Sequence, residues 1–303
     1  MIAALFPGQG SQTVGMAKAF YDQNEVARAV LDEAETAFPG LLELMWQGPA
    51  DALQQTAHQQ PALVAAAIAA LAAYRDGGGT EPDYAAGHSL GEFSAYVAAG
   101  SLGVGSAVRL VHNRGRYMQD AVPEGHGAMA AVLKTDTEHV ARVCTETDGV
   151  VEIANLNAPG QTVISGETAA VAAAGERLRL EKARVVPLKV SAPFHCSLMA
   201  PAAARLEPDL ANTTFAAPAF PIVGNVTADV VTEDKIRDRL VEQVTEPVRW
   251  SESVLKLYDL GVRRFVEFGS GRVLSGLVKR ILSDVSDYDI ITVTDPESLQ
   301  EAL

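Results

Sequence analysis

The pentapeptide GHSLG at residues 87–91 restricts the local fold more than any other segment of this chain. Glycines two residues before and two residues after a serine permit a tight, strained turn that side chains would crowd. The short segment 83–86 before it favours a strand, and residues 92–99 after it favour a helix. Strand, turn and helix in this order predict a nucleophile elbow that exposes the hydroxyl of Ser89 at the start of the helix. An ordinary glycine-rich turn with a structural serine is the alternative.

A second glycine-rich loop follows the first apolar segment of the chain. Residues 2–6 favour a buried strand that ends at the turn-forming pair Pro7 and Gly8, and the loop continues as PGQGSQ. Such a junction can present backbone N–H groups to a ligand, but it can equally be a plain turn between a strand and a helix.

The middle of the chain differs in pattern from both ends. Helical patterns cover about 14–37, 50–57 and 61–75, the last with Pro61 at its first position. Residues 125–191 favour a β-α-β-β-α-β series, typical of a small ferredoxin-like unit, with elements at 128–133, 136–146, 150–156, 161–165, 167–181 and 184–190. An α/β pattern then resumes, with strands at 220–226 and 264–268 and helices at 233–244, 251–260 and 271–283.

We therefore predict an α/β protein with a discontinuous larger domain and an inserted smaller one. Residues 1–124 and 192–303 would form a large α/β-hydrolase-like domain with a parallel sheet, and residues 125–191 the ferredoxin-like subdomain. A chain of 303 residues can bury a core of this size without a metal or disulfide staple.

Composition and charge exclude several classes of protein. The net charge of −14 would repel nucleic acid and anionic membranes. The longest apolar stretch, 62–74, is about 13 residues, shorter than the roughly 20 that cross a bilayer, and the amino terminus lacks the basic start of a signal peptide. The two cysteines, Cys144 and Cys196, form neither a disulfide framework nor a zinc pattern. We expect a cytoplasmic protein without a metal.

A serine hydroxyl needs a base within hydrogen-bond reach to act as a nucleophile. Of the six histidines, His195 stands out because it lies on a proline-containing turn just after the predicted small unit. His88 adjoins the serine, but neighbouring side chains on a tight turn diverge. A nucleophilic Cys196 is disfavoured because no elbow or helix start surrounds it.

Five segments, spread in order over nearly the whole chain, together resemble the malonyl-CoA:acyl carrier protein transacylases of fatty-acid synthesis. They are FPGQGSQ (6–12), GHSLGE (87–92), NRGR (113–116), NAPGQ (157–161) and PFH (193–195). The resemblance implies a ping-pong enzyme that moves a malonyl group from malonyl-CoA, through an ester on Ser89, to the phosphopantetheine thiol of acyl carrier protein. It implies no cofactor, since malonyl-CoA is a substrate.

The resemblance also assigns roles to individual residues. Ser89 would be the nucleophile and His195 the general base and acid, oriented by the main-chain carbonyl of Gln243. The backbone N–H groups of Gln9 and Leu90 would form the oxyanion hole.

Three further residues would contact the substrate by the same resemblance. Arg114 would bind the malonyl carboxylate, a task suited to a planar guanidinium. Gln161 would lie near the acyl-CoA, although a plain turn residue fits equally. Phe194 would crowd a branched α-carbon, although a core aromatic fits almost as well.

An acidic carrier protein would have to dock on a local basic patch of this acidic chain. We predict that the patch consists of basic residues of the small unit, with two more on the opposite lip: Arg177, Arg179, Lys182, Arg184 and Lys189, then Lys279 and Arg280.

Two other functions remain open from the sequence. A serine hydrolase can use the same pentapeptide, but no segment between Ser89 and His195 resembles the acidic loop that a hydrolase of this fold places there. A non-catalytic carrier-binding scaffold would have no need of intact Ser89, His195 and Arg114 together.

Overall fold

The computed structural model describes residues 1–303. Its nine strands are β1 Ile2–Phe6, β2 Tyr84–Gly87, β3 Gly127–Leu133, β4 Val151–Ala158, β5 Gln161–Glu167, β6 Arg184–Pro187, β7 Ile222–Val223, β8 Arg264–Phe268 and β9 Asp289–Val293. Its fourteen α-helices are α1 Lys18–Gln23, α2 Glu25–Ala37, α3 Leu41–Gln47, α4 Ala50–Leu53, α5 Thr56–Asp76, α6 Gly91–Ala98, α7 Val104–Asp120, α8 Thr137–Thr145, α9 Thr168–Leu180, α10 Ala200–Ala211, α11 Ile236–Glu242, α12 Trp250–Asp259, α13 Val273–Ile281 and α14 Pro296–Ala302.

The strands form two separate sheets. The larger has the order β7-β2-β1-β8-β9, and every neighbouring pair is parallel. The smaller has the order β4-β5-β3-β6 and is antiparallel throughout, which is the strand order of a ferredoxin-like unit. The predicted fold class is therefore confirmed. The division of the chain at residues 124 and 192 stays a prediction.

The parallel sheet places the two glycine-rich loops side by side. Strands β1 and β2 are adjacent, with Phe6 opposite Gly87. Because the carboxyl ends of parallel strands meet at one edge of a sheet, the loops that follow these two residues lie together at that edge. Strand β1 is apolar because both of its faces are covered, and residues 3–6 are fully buried.

Helix α5 explains why the Ala-rich stretch 62–74 has no polar face. It packs against α2, α6 and α7, and nearly all of its residues from Gln59 to Tyr74 are buried. No helix in the structure is both long enough and apolar enough to span a bilayer.

The sequence pattern placed Pro61 at the first position of its helix, and this prediction is wrong. Pro61 lies well inside α5, which begins at Thr56. Proline has no N–H to bind the carbonyl four residues earlier, here that of Ala57. The imidazole Nδ1 of His112, on α7, lies 2.8 Å from this carbonyl oxygen. The neighbouring helix therefore satisfies the group that proline leaves unpaired.

Other element boundaries differ from the sequence pattern for local reasons. The pattern at 14–37 is split into α1 and α2, because Asn24 ends the first helix and its side chain caps the second, accepting from the N–H of Ala27. The strand expected at 220–226 is only two residues long, and β9 and α14 were not predicted.

Candidate active site

The turn at residues 87–91 is a tight elbow between β2 and α6. A methyl group on Gly87 would lie 1.9 Å from the main-chain carbon of Gly91, and one on Gly91 would lie 2.0 Å from the main-chain oxygen of Phe6. Ser89, between them, has a φ of 51°, in the left-handed region that few residues other than glycine adopt. Only glycine fits at the two flanking positions, which explains the spacing of the pentapeptide.

Asn225 braces this strained turn. Its Oδ1 accepts the backbone N–H of Ser89 at 2.6 Å, and its Nδ2 donates to the main-chain oxygen of Gly87 at 2.6 Å. Both main-chain groups are buried, so leaving them unpaired would be costly. The amide of Asn225 therefore stabilises the backbone conformation that presents the serine.

The hydroxyl of Ser89 and the imidazole of His195 form a direct pair. Ser89 Oγ lies 2.7 Å from His195 Nε2, and His195 Nδ1 lies 2.8 Å from the main-chain oxygen of Gln243. A carbonyl oxygen can only accept, so Nδ1 carries the proton and Nε2 is free to accept from the serine. The pair can thus remove the hydroxyl proton from Ser89, and no carboxylate contacts the histidine.

Burial keeps His195 neutral. The side chain is almost fully buried, and this desolvation together with the nearby charge of Arg114 lowers its pKa to about 3, although the hydrogen bond to Gln243 acts in the opposite direction. His195 also has a positive φ of 58°. A neutral imidazole at pH 7 is the form that can act as a base.

Arg114 lies in α7 and is completely buried beside the serine. Its guanidinium donates to Gln60 Oε1 at 2.9 Å, to Gln243 Oε1 at 2.9 Å and to Ser89 Oγ at 3.2 Å. Desolvation lowers its pKa to about 10, so it remains charged at pH 7. All three acceptors are neutral, and the Nε atom has no hydrogen-bond partner. A buried cation without a carboxylate partner is suited to bind an anionic group.

Gln9 and Leu90 lie in the two adjacent loops. The backbone N–H of each makes no hydrogen bond within the protein, and Leu90 directly precedes α6. The side chain of Gln9 is fixed by two glutamines: its Nε2 donates to Gln59 Oε1 at 2.6 Å, and its Oε1 accepts from Gln60 Nε2 at 3.4 Å. Two free N–H groups beside the serine can stabilise a developing oxyanion.

Gln161 and Phe194 do not join this network. Gln161 Oε1 accepts from Arg280 at 2.8 Å on the surface of the protein, and Phe194 is buried within the main hydrophobic core. Their contacts with a substrate stay predictions. Cys196 is buried, and desolvation raises the pKa of its thiol, which disfavours the nucleophilic thiolate.

Sequence reasoning missed three side chains that hold the site together: Asn225, Gln60 and Glu92. Glu92 lies in the first turn of α6, is almost fully buried, and accepts from Gln243 Nε2 at 2.6 Å. Its position directly after the pentapeptide was a signal, but a glutamate in a first helical turn is usually a solvated group that complements the helix dipole. The side chain of Gln243 was also missed, since only its carbonyl was expected to matter.

Some residues of the predicted basic patch are already engaged in ion pairs with neighbouring glutamates. Arg177 contacts Glu146 at 2.5 Å and Glu181 at 3.4 Å, so its charge is largely offset. Arg179 contacts Glu176 at 3.5 Å. Five of the patch residues are exposed and form no ion pair: Lys182, Arg184, Lys189, Lys279 and Arg280.

A parallel α/β fold with a serine elbow, a histidine on the serine hydroxyl and free N–H groups beside it defines an enzyme of acyl transfer. The comparison with known families agrees, because the family model of the acyl transferase domain matches residues 4–298. In sequence, the chain is 46% identical to the malonyl CoA-acyl carrier protein transacylase of Bacillus subtilis, over 100% of this chain and 96% of the relative. It is 44% identical to the Escherichia coli protein of the same name, over 99% and 98%.

Solved structures give the same result. An acyl-carrier-protein S-malonyltransferase from Burkholderia pseudomallei has a TM-score of 0.95 at 44% identity, over 99% of this chain and 98% of that one. A malonyl-transacylase solved in complex with a type II polyketide-synthase acyl-carrier protein has a TM-score of 0.96 at 42% identity, over 100% and 98%. The chain therefore belongs to the malonyl CoA-acyl carrier protein transacylase family, and the predicted resemblance is confirmed.

Proposed function

We propose that this protein moves a malonyl group from malonyl-CoA to the phosphopantetheine thiol of an acyl carrier protein and so supplies malonyl units for fatty-acid synthesis. The observation that carries the proposal is the contact of one buried serine hydroxyl with both a neutral histidine and an arginine that has no carboxylate partner. The first pairing activates a nucleophile, and the second provides a place for an acidic acyl group.

The first half-reaction acylates the enzyme. Ser89 Oγ attacks the thioester carbonyl of malonyl-CoA while His195 Nε2 takes the hydroxyl proton. The N–H groups of Gln9 and Leu90 hold the oxygen on which negative charge develops. The carbon–sulfur bond then breaks, coenzyme A leaves with the proton from His195, and the malonyl group remains as an ester on Ser89.

The second half-reaction returns the enzyme to its starting state. The carrier thiol gives its proton to His195 and attacks the ester carbonyl, and Ser89 recovers its proton from the histidine as it leaves. The carbonyl of Gln243 keeps the imidazole in the required tautomer throughout. Malonyl-CoA enters these steps as a substrate, and the bonds and protons balance without a cofactor.

Arg114 would select the acyl group. A malonyl carboxylate can accept two parallel hydrogen bonds from the guanidinium, which offsets the cost of removing both charges from water. Gln161 and Phe194 stay candidate substrate contacts. We also propose a cytoplasmic location, supported by two free, buried cysteines.

The test is intact mass spectrometry of the protein mixed with malonyl-CoA alone. We expect one malonyl adduct that persists until a carrier protein is added, and no adduct on Ser89→Ala. An adduct that reacts rapidly with water would favour a hydrolase, and a malonyl group gained by Ser89→Ala would refute the assigned nucleophile. The absence of any adduct on the wild-type protein would refute the proposed function.

A further inference from the structure

Glu92 is a buried carboxylate that the proposed mechanism does not use. Only 1% of its surface is exposed, and its Oε1 has no hydrogen-bond partner. Its Oε2 accepts from Gln243 Nε2 at 2.6 Å and from the backbone N–H of Asn225 at 3.1 Å. These donors are 151 and 133 residues away in sequence, so the side chain joins distant segments rather than capping its own helix.

Both partners of Glu92 converge on Ser89. Asn225 accepts the backbone N–H of Ser89, and Gln243 Nε2, besides contacting Glu92, donates to the main-chain oxygen of Ser89 at 3.1 Å. The backbone N–H and the main-chain oxygen of Ser89 are thus each hydrogen-bonded to a residue that is itself hydrogen-bonded to Glu92.

Gln243 carries the same constraint to the groups that act on the serine hydroxyl. Its main-chain oxygen orients His195, and its Oε1 accepts from Arg114. A shift of Gln243 would therefore move the imidazole and the guanidinium together. Displacements of about 1 Å in such a site can slow a reaction roughly 10²-fold.

We propose that Glu92 is a positioning residue for acyl transfer, which acts through Asn225 and Gln243 to fix the serine, the histidine and the arginine in one arrangement. This inference rests on the proposed function. The backbone N–H of Glu92 donates to the main-chain oxygen of Ser89 as part of the helix start, but its side chain makes no hydrogen bond to the predicted nucleophile, base or guanidinium. The side chain therefore acts through the two donors that its carboxylate oxygen reaches. Burial raises the pKa of Glu92 to about 7, so its carboxyl group is only partly charged at neutral pH. The length of the side chain, which brings Oε2 to both donors, is the same at every pH.

Two conservative variants separate reach from charge. Glu92→Gln keeps a carbonyl oxygen at the same distance and loses the charge, whereas Glu92→Asp keeps the charge but is one methylene too short to contact both donors. The matched control is Glu267, which is also 1% exposed and accepts two backbone N–H groups, those of Leu274 and Ser275. The hydrogen bonds of its carboxylate go to Leu274 and Ser275 alone and include none of the site residues.

The measurement is the single-turnover rate of malonyl-enzyme formation at saturating malonyl-CoA, corrected for the folded fraction of each variant. We expect Glu92→Asp to be about 10²-fold slower and Glu92→Gln to recover most of that loss. The control variants Glu267→Gln and Glu267→Asp should each lower the free energy of unfolding and leave the acylation rate close to that of the wild type.

The inference is overturned if Glu92→Asp acylates as fast as Glu92→Gln, or if the Glu267 variants lose as much rate. A wild-type protein that forms no malonyl adduct would refute the proposed function itself. Normal acylation by the wild type and by both Glu92 variants would refute only the role of Glu92.

Discussion

Arg114 donates a hydrogen bond of 3.2 Å to the hydroxyl oxygen of Ser89, so the predicted anion-binding group contacts the predicted nucleophile before any substrate arrives. A malonyl group has a single carbon between its carboxylate and its thioester carbonyl. An acyl group this short can reach the guanidinium and the serine hydroxyl at once only if those two groups are close. Their contact therefore matches the length of a malonyl group rather than that of a longer diacid.

Replacing Arg114 with alanine should change the acyl preference of the enzyme. The malonyl carboxylate would be buried without a partner, whereas acetyl-CoA would no longer leave a guanidinium unpaired. We expect kcat/KM for malonyl-CoA to fall by about 10³-fold, with acetyl transfer equal or improved. The control is Arg116→Ala, an exposed arginine on the same helix. If malonyl and acetyl transfer slowed by one common factor, Arg114 would be a structural residue.

The same arginine should affect the ionisation of His195. Burial is the largest cause of its lowered pKa and the charge of Arg114 the second, so removing that charge should move the pKa upward from about 3, toward its ordinary value. Titration of the His195 ring protons by nuclear magnetic resonance, assigned by comparison with His195→Gln, measures this directly. A His195 that titrates near pH 6.5 in the wild-type protein would contradict the buried, neutral base.

Stability should depend on pH through Glu92. Its pKa is about 7 in the folded protein, above the ordinary value of 4.5, mainly because burial disfavours the charged form. Between these two pH values the folded state holds a proton that the unfolded state has released, so this group lowers the free energy of unfolding as pH rises through that window. His195, with a lowered pKa, acts in the opposite direction between about pH 3 and 6.5.

Comparing the wild type with Glu92→Gln isolates the first effect, since the variant has no carboxyl group to titrate there. Urea unfolding at a series of pH values from 4.5 to 8 should give a difference in unfolding free energy that changes in favour of the variant with rising pH and levels off above 7. A difference independent of pH would mean that Glu92 titrates normally.

The elbow could be predicted because its chemistry is local. Gly87 and Gly91 are required by contacts with neighbouring main chain, and such a requirement appears in the sequence as a short, fixed spacing. The small antiparallel unit could be predicted for a similar reason, since its elements follow one another along the chain.

The side chains that fix the backbone of Ser89 could not be predicted in this way. Asn225 and Gln243 act on Ser89 from 136 and 154 residues away, through side chains whose direction depends on how α11 and the loop after β7 pack against the elbow. Neither residue stands in a pattern that marks it. The misplaced start of α5 has the same origin, because Pro61 is tolerated inside the helix only where His112 reaches the free carbonyl.

The last prediction concerns the surface that receives the acidic carrier. The protein carries a net charge of −14, so attraction must come from local bases whose charge is not already offset. Lys182 and Arg184 are exposed and unpaired, whereas Arg177 is bound by two glutamates. We therefore expect Lys182 and Arg184 to attract the carrier and Arg177 to contribute less to its binding.

Reversing both charges, with Lys182→Glu and Arg184→Glu, should raise the apparent KM for the carrier at low salt and leave acylation by malonyl-CoA unchanged, because the first half-reaction needs no carrier. The effect should shrink as salt is added, since screening weakens surface charges in every variant. Reversal of Arg109 and Arg116, exposed on α7, changes the net charge equally on a different element and is the matched control. If both double variants raised the KM alike, overall charge rather than this patch would govern docking, and an unchanged KM at low salt would remove the patch from the carrier interface.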